Sequence, residues 1–183
     1  MARVLVPLAP GCEELEAVTI IDLLRRAGIE VVSAGLDAGP VKASRGVVLL
    51  ADTTLDEALR HDYDMVVLPG GGPGADRLDH DPRIEAVLKK MAAAGKYTAA
   101  ICAAPKVLGR IGLLAGKRAT SYPGFVDRMQ LPGVTYLHDA VVQDGTVITS
   151  RGPGTAMDFA LHLVEVLAGR ARRAEVEAGL VRG

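Results

Sequence analysis

Tryptophan is absent from this 183-residue chain, and aromatic side chains make up only 3% of it, which disfavours a flavin site built on ring stacking. Cysteine is nearly as scarce. Cys12 and Cys102 are the only two, too few for a disulfide framework, so a reducing cytoplasm is the expected compartment. No apolar run approaches the ~20 residues that a membrane helix needs. The opening Met1-Ala2-Arg3-Val4-Leu5-Val6 meets Pro7 at once and lacks the long apolar core of a signal peptide. The formal net charge is -1 with both signs spread along the chain, so no basic stripe marks a nucleic-acid surface. No His, Cys or Asp grouping has metal-ligand spacing. The expectation is a soluble protein with no metal, cofactor, membrane or nucleic-acid partner.

What is present is ordinary for a globular protein, with 49% hydrophobic and 23% charged residues. At roughly 150 residues per domain the length fits a single domain, 1–183, able to bury its own core. Short β-branched runs alternate with amphipathic stretches, the pattern of βαβ units. Strands are expected at 3–8, 30–34, 65–68, 98–101 and 118–121. The run 35–50 is expected to be an excursion with short strands, and 141–148 a hairpin through Asp144-Gly145. A helix from Glu13 to Ala27 carries an apolar stripe at Val18, Ile21, Leu24 and Ala27. Thr54 and Glu57 have capping-box spacing before a short helix, Asp81-Pro82 opens another to about Ala94, and Pro105 a third. Thr155 is expected to cap a helix ending near Gly169, with one more helix in the tail. The fold class is α/β: a flavodoxin-like, doubly wound, mostly parallel sheet with helices on both faces and a cysteine nucleophile elbow.

That elbow is Thr98-Ala99-Ala100-Ile101-Cys102-Ala103-Ala104-Pro105. It puts Cys102 between a buried strand and a helix start, at the strand ends where such sheets bind ligands. The N–H groups of Ala103 and Ala104 are expected to be free beside the sulfur, to stabilise a thiolate or an oxyanion. A buried structural cysteine is the plainer alternative. Two other strand ends weigh against it, because Pro69-Gly70-Gly71-Gly72 and Glu16 fall on the same rim.

The segments Gly11-Cys12-Glu13-Glu14-Leu15-Glu16-Ala17-Val18, Val67-Leu68-Pro69-Gly70-Gly71, Ala100-Ile101-Cys102-Ala103-Ala104-Pro105 and Thr149-Ser150-Arg151-Gly152-Pro153-Gly154-Thr155 resemble the ThiJ/PfpI superfamily. Within it they are most similar to the branch of the bacterial YajL proteins and the human parkinsonism-associated deglycase. The resemblance implies Cys102 as nucleophile and redox centre, with Glu16 as its hydrogen-bonding acid. It implies Gly71 and Ala103 as backbone donors. Gly70, Tyr122, Arg45, Arg26, Arg151 and Pro153 then line or border a substrate pocket, partly from a second subunit of a homodimer. The implied activity is that of a cofactor-free hydrolase or lyase: a glutathione-independent glyoxalase turning methylglyoxal to lactate, or a deglycase of early glycation adducts. The alternative is a redox-sensing stress-response or chaperone protein that uses oxidation of Cys102.

The chain departs from the pattern at Tyr122, where the human-like branch has histidine, so proton transfer falls to Glu16, water or Tyr122. Ala103 after the cysteine weakens a protease reading. His162 and Glu165 loosely match a glutaminase spacing but lie in a helical run, where His162 is a packing or exposed residue. His61, His80 and His138 sit in polar loops. Gly70 to Ala75 fits G-x-G-x-x-A, yet Asp76, Asp79 and Pro82 are expected to interrupt the helix that a dinucleotide fingerprint needs. Arg26 serves equally well as a cation at a helix C-terminus. Cys12, four residues before Glu16, is a candidate resolving thiol, though an inert small residue is the simpler account. Cys102 is expected to be largely thiolate at neutral pH, with Glu16 protonated.

Overall fold

In the computed structural model, which describes residues 1–182, the chain opens on strand β1, Arg3–Leu8. Val4, Leu5 and Val6 are fully buried, as a parallel strand covered on both faces requires. Helix α1, Glu14–Arg26, follows, with Glu13 capping it by accepting the Leu15 N–H. Strand β2, Glu30–Gly35, returns parallel to β1 with Arg3 opposite Glu30. The excursion is a two-stranded antiparallel ribbon of β3, Val41–Lys42, and β4, Val48–Leu49. Strand β5, Thr53–Thr54, then pairs with β2 before helix α2, Leu55–Ala58, whose N-cap Thr54 accepts the Glu57 N–H.

The chain next crosses to the other side of β1. Strand β6, Met65–Leu68, lies parallel to it. Helices α3, Gly72–His80, and α4, Pro82–Ala93, lead to strand β7, Tyr97–Ile101, and helix α5, Pro105–Arg110. Strands β8, Arg118–Ala119, and β9, Thr135–Tyr136, pair as a small separate sheet. The hairpin of β10, Val141–Asp144, and β11, Val147–Ser150, closes the main sheet by setting β11 parallel to β7. Helices α6, Ala156–Ala168, and α7, Arg170–Gly179, end the fold.

The sheet order is β10-β11-β7-β6-β1-β2-β5. The chain leaves β1 in one direction and returns on its other side, so right-handed crossovers set helices on both faces. Helix α1 packs on α6, while α4 packs on β6 and β7. The order reverses between β1 and β6, and a crevice opens there beyond the strand ends.

Four local expectations are corrected. Residues 72–80 form a continuous helix, because Pro73 falls in the first turn, where a missing N–H is harmless. Asp76 and Asp79 point outward to Lys106 and Arg110, and Pro82 belongs to the next helix. The buried face of α1 is Glu16, Ala17, Ile20, Leu23 and Leu24, which leaves Val18 exposed. Strand β8 stops at Ala119 because the Thr120 N–H turns to Thr149 Oγ1 at 2.9 Å. Thr155 caps no helix with its side chain. Its hydroxyl instead accepts the Gly152 N–H at 3.1 Å, within a short turn over Pro153–Thr155.

Candidate functional site

Cys102 follows β7 directly and has a positive φ of 64°, a conformation that disfavours any residue with a Cβ. Neighbouring backbone holds it there. The Cys102 N–H donates to Ser150 O at 3.0 Å, and the Cys102 carbonyl accepts the Tyr122 N–H at 2.8 Å. A strained, over-determined position of this kind is characteristic of functional sites. The sulfur-bearing residue is only 8% exposed, yet it forms part of the wall of a cavity of about 680 Å³.

Glu16, fully buried on α1, is not part of the cavity wall. Its Oε2 accepts the Gly70 N–H at 2.8 Å, while Oε1 is buried with no hydrogen-bond partner. The α1 N-terminus is tied to the same loop by the Glu13 N–H, which donates to Gly70 O at 2.9 Å. A Cβ on Gly70 would sit 2.6 Å from both Cys102 Cβ and Glu16 Oε2, so only glycine lets acid and thiol meet here. Gly71, with φ 86°, turns the chain so that its N–H faces the sulfur together with that of Ala103. The Ala104 N–H is not part of this set, because it donates to Ile101 O at 3.0 Å.

Burial is the largest influence on both members of the pair. It pushes the Glu16 carboxyl up to about 7, against the Gly70 N–H and the Cys102 thiol, which stabilise its anion. Burial, followed by the charge of an ionised Glu16, pushes the Cys102 thiol up to about 12, against the Gly71 and Ala103 amides. The expected rise of Glu16 is present; the expected low thiol is not, because burial first and the Glu16 charge second oppose the thiolate. A protonated Glu16 removes that repulsion and offers the sulfur a hydrogen bond, so the two groups titrate as a coupled pair.

This arrangement of a strained cysteine, a buried acid and two glycines sits in a chain whose residues 2–166 match the DJ-1/PfpI family. The chain belongs to the DJ-1/PfpI family. It is 46% identical over 179 residues to Protein dj-1beta of Drosophila melanogaster, covering 97% of this chain and 95% of that one. The crystal structure of Drosophila melanogaster DJ-1beta matches with a TM-score of 0.94 and 43% identity, over 100% of this chain and 98% of the other. A Caenorhabditis elegans protein named glutathione-independent glyoxalase DJR-1.2 is 39% identical over 168 residues, 92% of this chain and 89% of its own.

In this DJ-1/PfpI chain the cavity wall brings together Cys102, Gly71, Ala103, Arg45, Tyr122 and Pro153. Arg26 is not brought there. It stands at the far end of α1, paired with Asp22 at 2.9 Å. Arg151 is outside the wall too, with a buried Nε that lacks a partner. Cys12 is 1% exposed, and burial followed by the Glu14 charge pushes its thiol up to about 11. Its backbone packs against Gly74, where a Cβ would approach Cys12 Cα to 2.6 Å. The glycines after β6 therefore serve this packing and the cysteine site. His162 meets Gln143 Oε1 at 2.7 Å, as a helix-packing residue would.

Sequence reasoning missed Lys42, Arg77 and Phe125, which also form the wall. It also missed the second task of Glu14, which accepts the Arg45 N–H at 2.9 Å and the Ser44 hydroxyl at 3.0 Å. Those bonds hold the β3–β4 turn over the site. The only sequence signal was a second acid at the helix start, which a favourable helix terminus already explained.

Proposed function

We propose that this chain is a cysteine-dependent, cofactor-free glyoxalase that converts methylglyoxal and related dicarbonyls to 2-hydroxy acids, with early glycation adducts as further substrates. One observation carries the reading: a buried carboxyl raised to about 7 lies against a strained cysteine that opens on a cavity. The kinship with a protein named as a glutathione-independent glyoxalase supports it.

The thiol adds to the aldehyde carbon, forming a C–S bond, and its proton reaches the carbonyl oxygen through Glu16. The Gly71 and Ala103 N–H groups stabilise the oxyanion as charge develops. Glu16 then takes the hydrogen from the former aldehyde carbon and returns it to the neighbouring one, leaving a 2-hydroxyacyl thioester. Water cleaves that thioester and restores the thiol. The sum is methylglyoxal plus water giving lactate, with no electron acceptor required.

A homodimer belongs to the same proposal. Leu15 and Val18 on α1 and Val47, Val48 and Leu50 around β4 are all exposed, Val18 and Leu50 line one groove, and exposed apolar surface of this kind is what a second subunit covers.

Lactate formed from methylglyoxal without glutathione is the test. Wild type turns over, and Cys102→Ser folds but loses essentially all of the rate, because a hydroxyl without a strong base is a poor nucleophile. Turnover no better than that of a small free thiol would overturn the proposal and favour oxidation of Cys102 as the working chemistry.

A further inference from the structure

The wall of the cavity over Cys102 contains three cations, and each lacks a carboxylate partner within 4 Å among the described residues. Lys42 and Arg45 come from the β3–β4 ribbon on one side and Arg77 from α3 on the other. Elsewhere most arginines are neutralised. Arg83 holds Asp81 and Asp56, Arg110 holds Asp79 and Glu85, and Arg173 holds Glu165 and Glu177. The one acid in the cavity wall, Glu13, makes no ion pair with Lys42, Arg45 or Arg77 and caps α1 by accepting the Leu15 N–H at 3.4 Å. Glu14 contacts Arg45 only through the backbone N–H, at 2.9 Å, which leaves the guanidinium uncommitted. Three cations against one carboxylate leave this concave wall net positive, which focuses a field into it and concentrates counter-ions there.

We propose that Lys42 and Arg77, with Arg45, make this cavity selective for negatively charged reactants, so that its preferred carbonyl substrates bear a carboxylate or phosphate near the aldehyde. The proposal deepens the glyoxalase reading, since it names the substrate class of the same nucleophile. A neutral dicarbonyl such as methylglyoxal leaves all three cations unused. An α-ketoaldehyde with a charged tail places that tail among them while its aldehyde meets the sulfur.

The alkylation of Cys102 tests the charge selection without relying on turnover. The sulfur displaces iodide from either reagent, forming a C–S bond as iodide leaves and the thiol proton passes to Glu16 or solvent. Iodoacetate and iodoacetamide differ in charge but little in size, and the Cys102 peptide is followed by mass spectrometry. The iodoacetate-to-iodoacetamide rate ratio is expected to exceed that of an uncharged small thiol. It should fall about threefold in each of Lys42→Met and Arg77→Met, the scale of one exposed charge interaction, and further in the double variant and at high salt. Both residues are exposed, so the substitutions remove charge without opening the core. Lys117→Met, beside the Gly145 turn at the opposite end of β11, should leave the ratio where it was. A wild-type ratio no higher than that of the small thiol, or one unmoved by the double variant, overturns the inference.

A second arm compares 4,5-dioxopentanoate, an α-ketoaldehyde with a terminal carboxylate, with methylglyoxal. The ratio of their kcat/KM values should favour the anion and drop in the same variants. Charge-selective alkylation with neither aldehyde turned over would uphold the anion selection and remove the glyoxalase reading. Methylglyoxal turnover without any charge selectivity would do the reverse.

Discussion

Glu16 binds its proton more tightly in the folded chain than in the unfolded one, because burial raises it from 4.5 to about 7. A raised acid stabilises the fold most below its unfolded value, and that stabilisation is lost as pH rises through the folded one. Wild type should therefore lose about 3 kcal/mol of stability between pH 4.5 and 7 relative to Glu16→Gln, at 1.36 kcal/mol per pKa unit. Urea unfolding at a series of pH values measures this, and parallel profiles for the two proteins would refute it. The same proton governs reactivity. Alkylation of Cys102 by iodoacetamide should rise through an apparent value near 7, as the pair loses its first proton, and Glu16→Gln should abolish that step.

At the scale of elements, the elbow after β7 forces an L-residue into a left-handed conformation at Cys102. Cys102→Gly should accordingly be more stable than Cys102→Ala by about 1 kcal/mol, the conformational cost of a Cβ there. Thermal unfolding of the two variants compares them, and an alanine variant as stable as the glycine one would show that the elbow relaxes. The elbow was legible in the sequence because an unbroken apolar strand ran into small residues and then proline. Strands β1 and β6 were legible for a similar reason, as short apolar runs ended by proline and glycine. Helix α3 was not, since its two glycines, proline and two aspartates read locally as loop, and only pairing with Lys106 and Arg110 reveals the outward face. The phase of α1 was ambiguous too. Leu15, Val18 and Ile21 make a second apolar row beside the true core row of Ala17, Ile20 and Leu24, and periodicity alone does not choose between them. Glu16 was found by family resemblance and helix position, whereas Lys42 and Arg77 reach the cavity through tertiary packing that no local pattern encodes.

For the whole molecule, that second row on α1 is the basis for a partner. If the exposed face of Leu15, Val18, Val47, Val48 and Leu50 joins two copies, wild type should sediment as a dimer. Val18→Asp combined with Val48→Asp should sediment as a folded monomer, because carboxylates buried without partners oppose association. A wild-type monomer at micromolar concentration would end the idea. A different consequence follows from Gly70, whose missing Cβ leaves room for Cys102 and Glu16. The three positions are bound into one history. A side chain at 70 would have to displace the Cys102 Cβ, the Glu16 carboxyl and the Ile101 carbonyl together. Trimming the acid alone, as in Glu16→Ala, leaves the Cys102 Cβ 2.6 Å and the Ile101 carbonyl 2.8 Å from an added methyl, so Gly70→Ala should stay poorly tolerated even in that background. Mutational paths out of this chemistry thus lose the acid or the thiol and keep the glycine, and paths into it must fix the glycine before the pair can form.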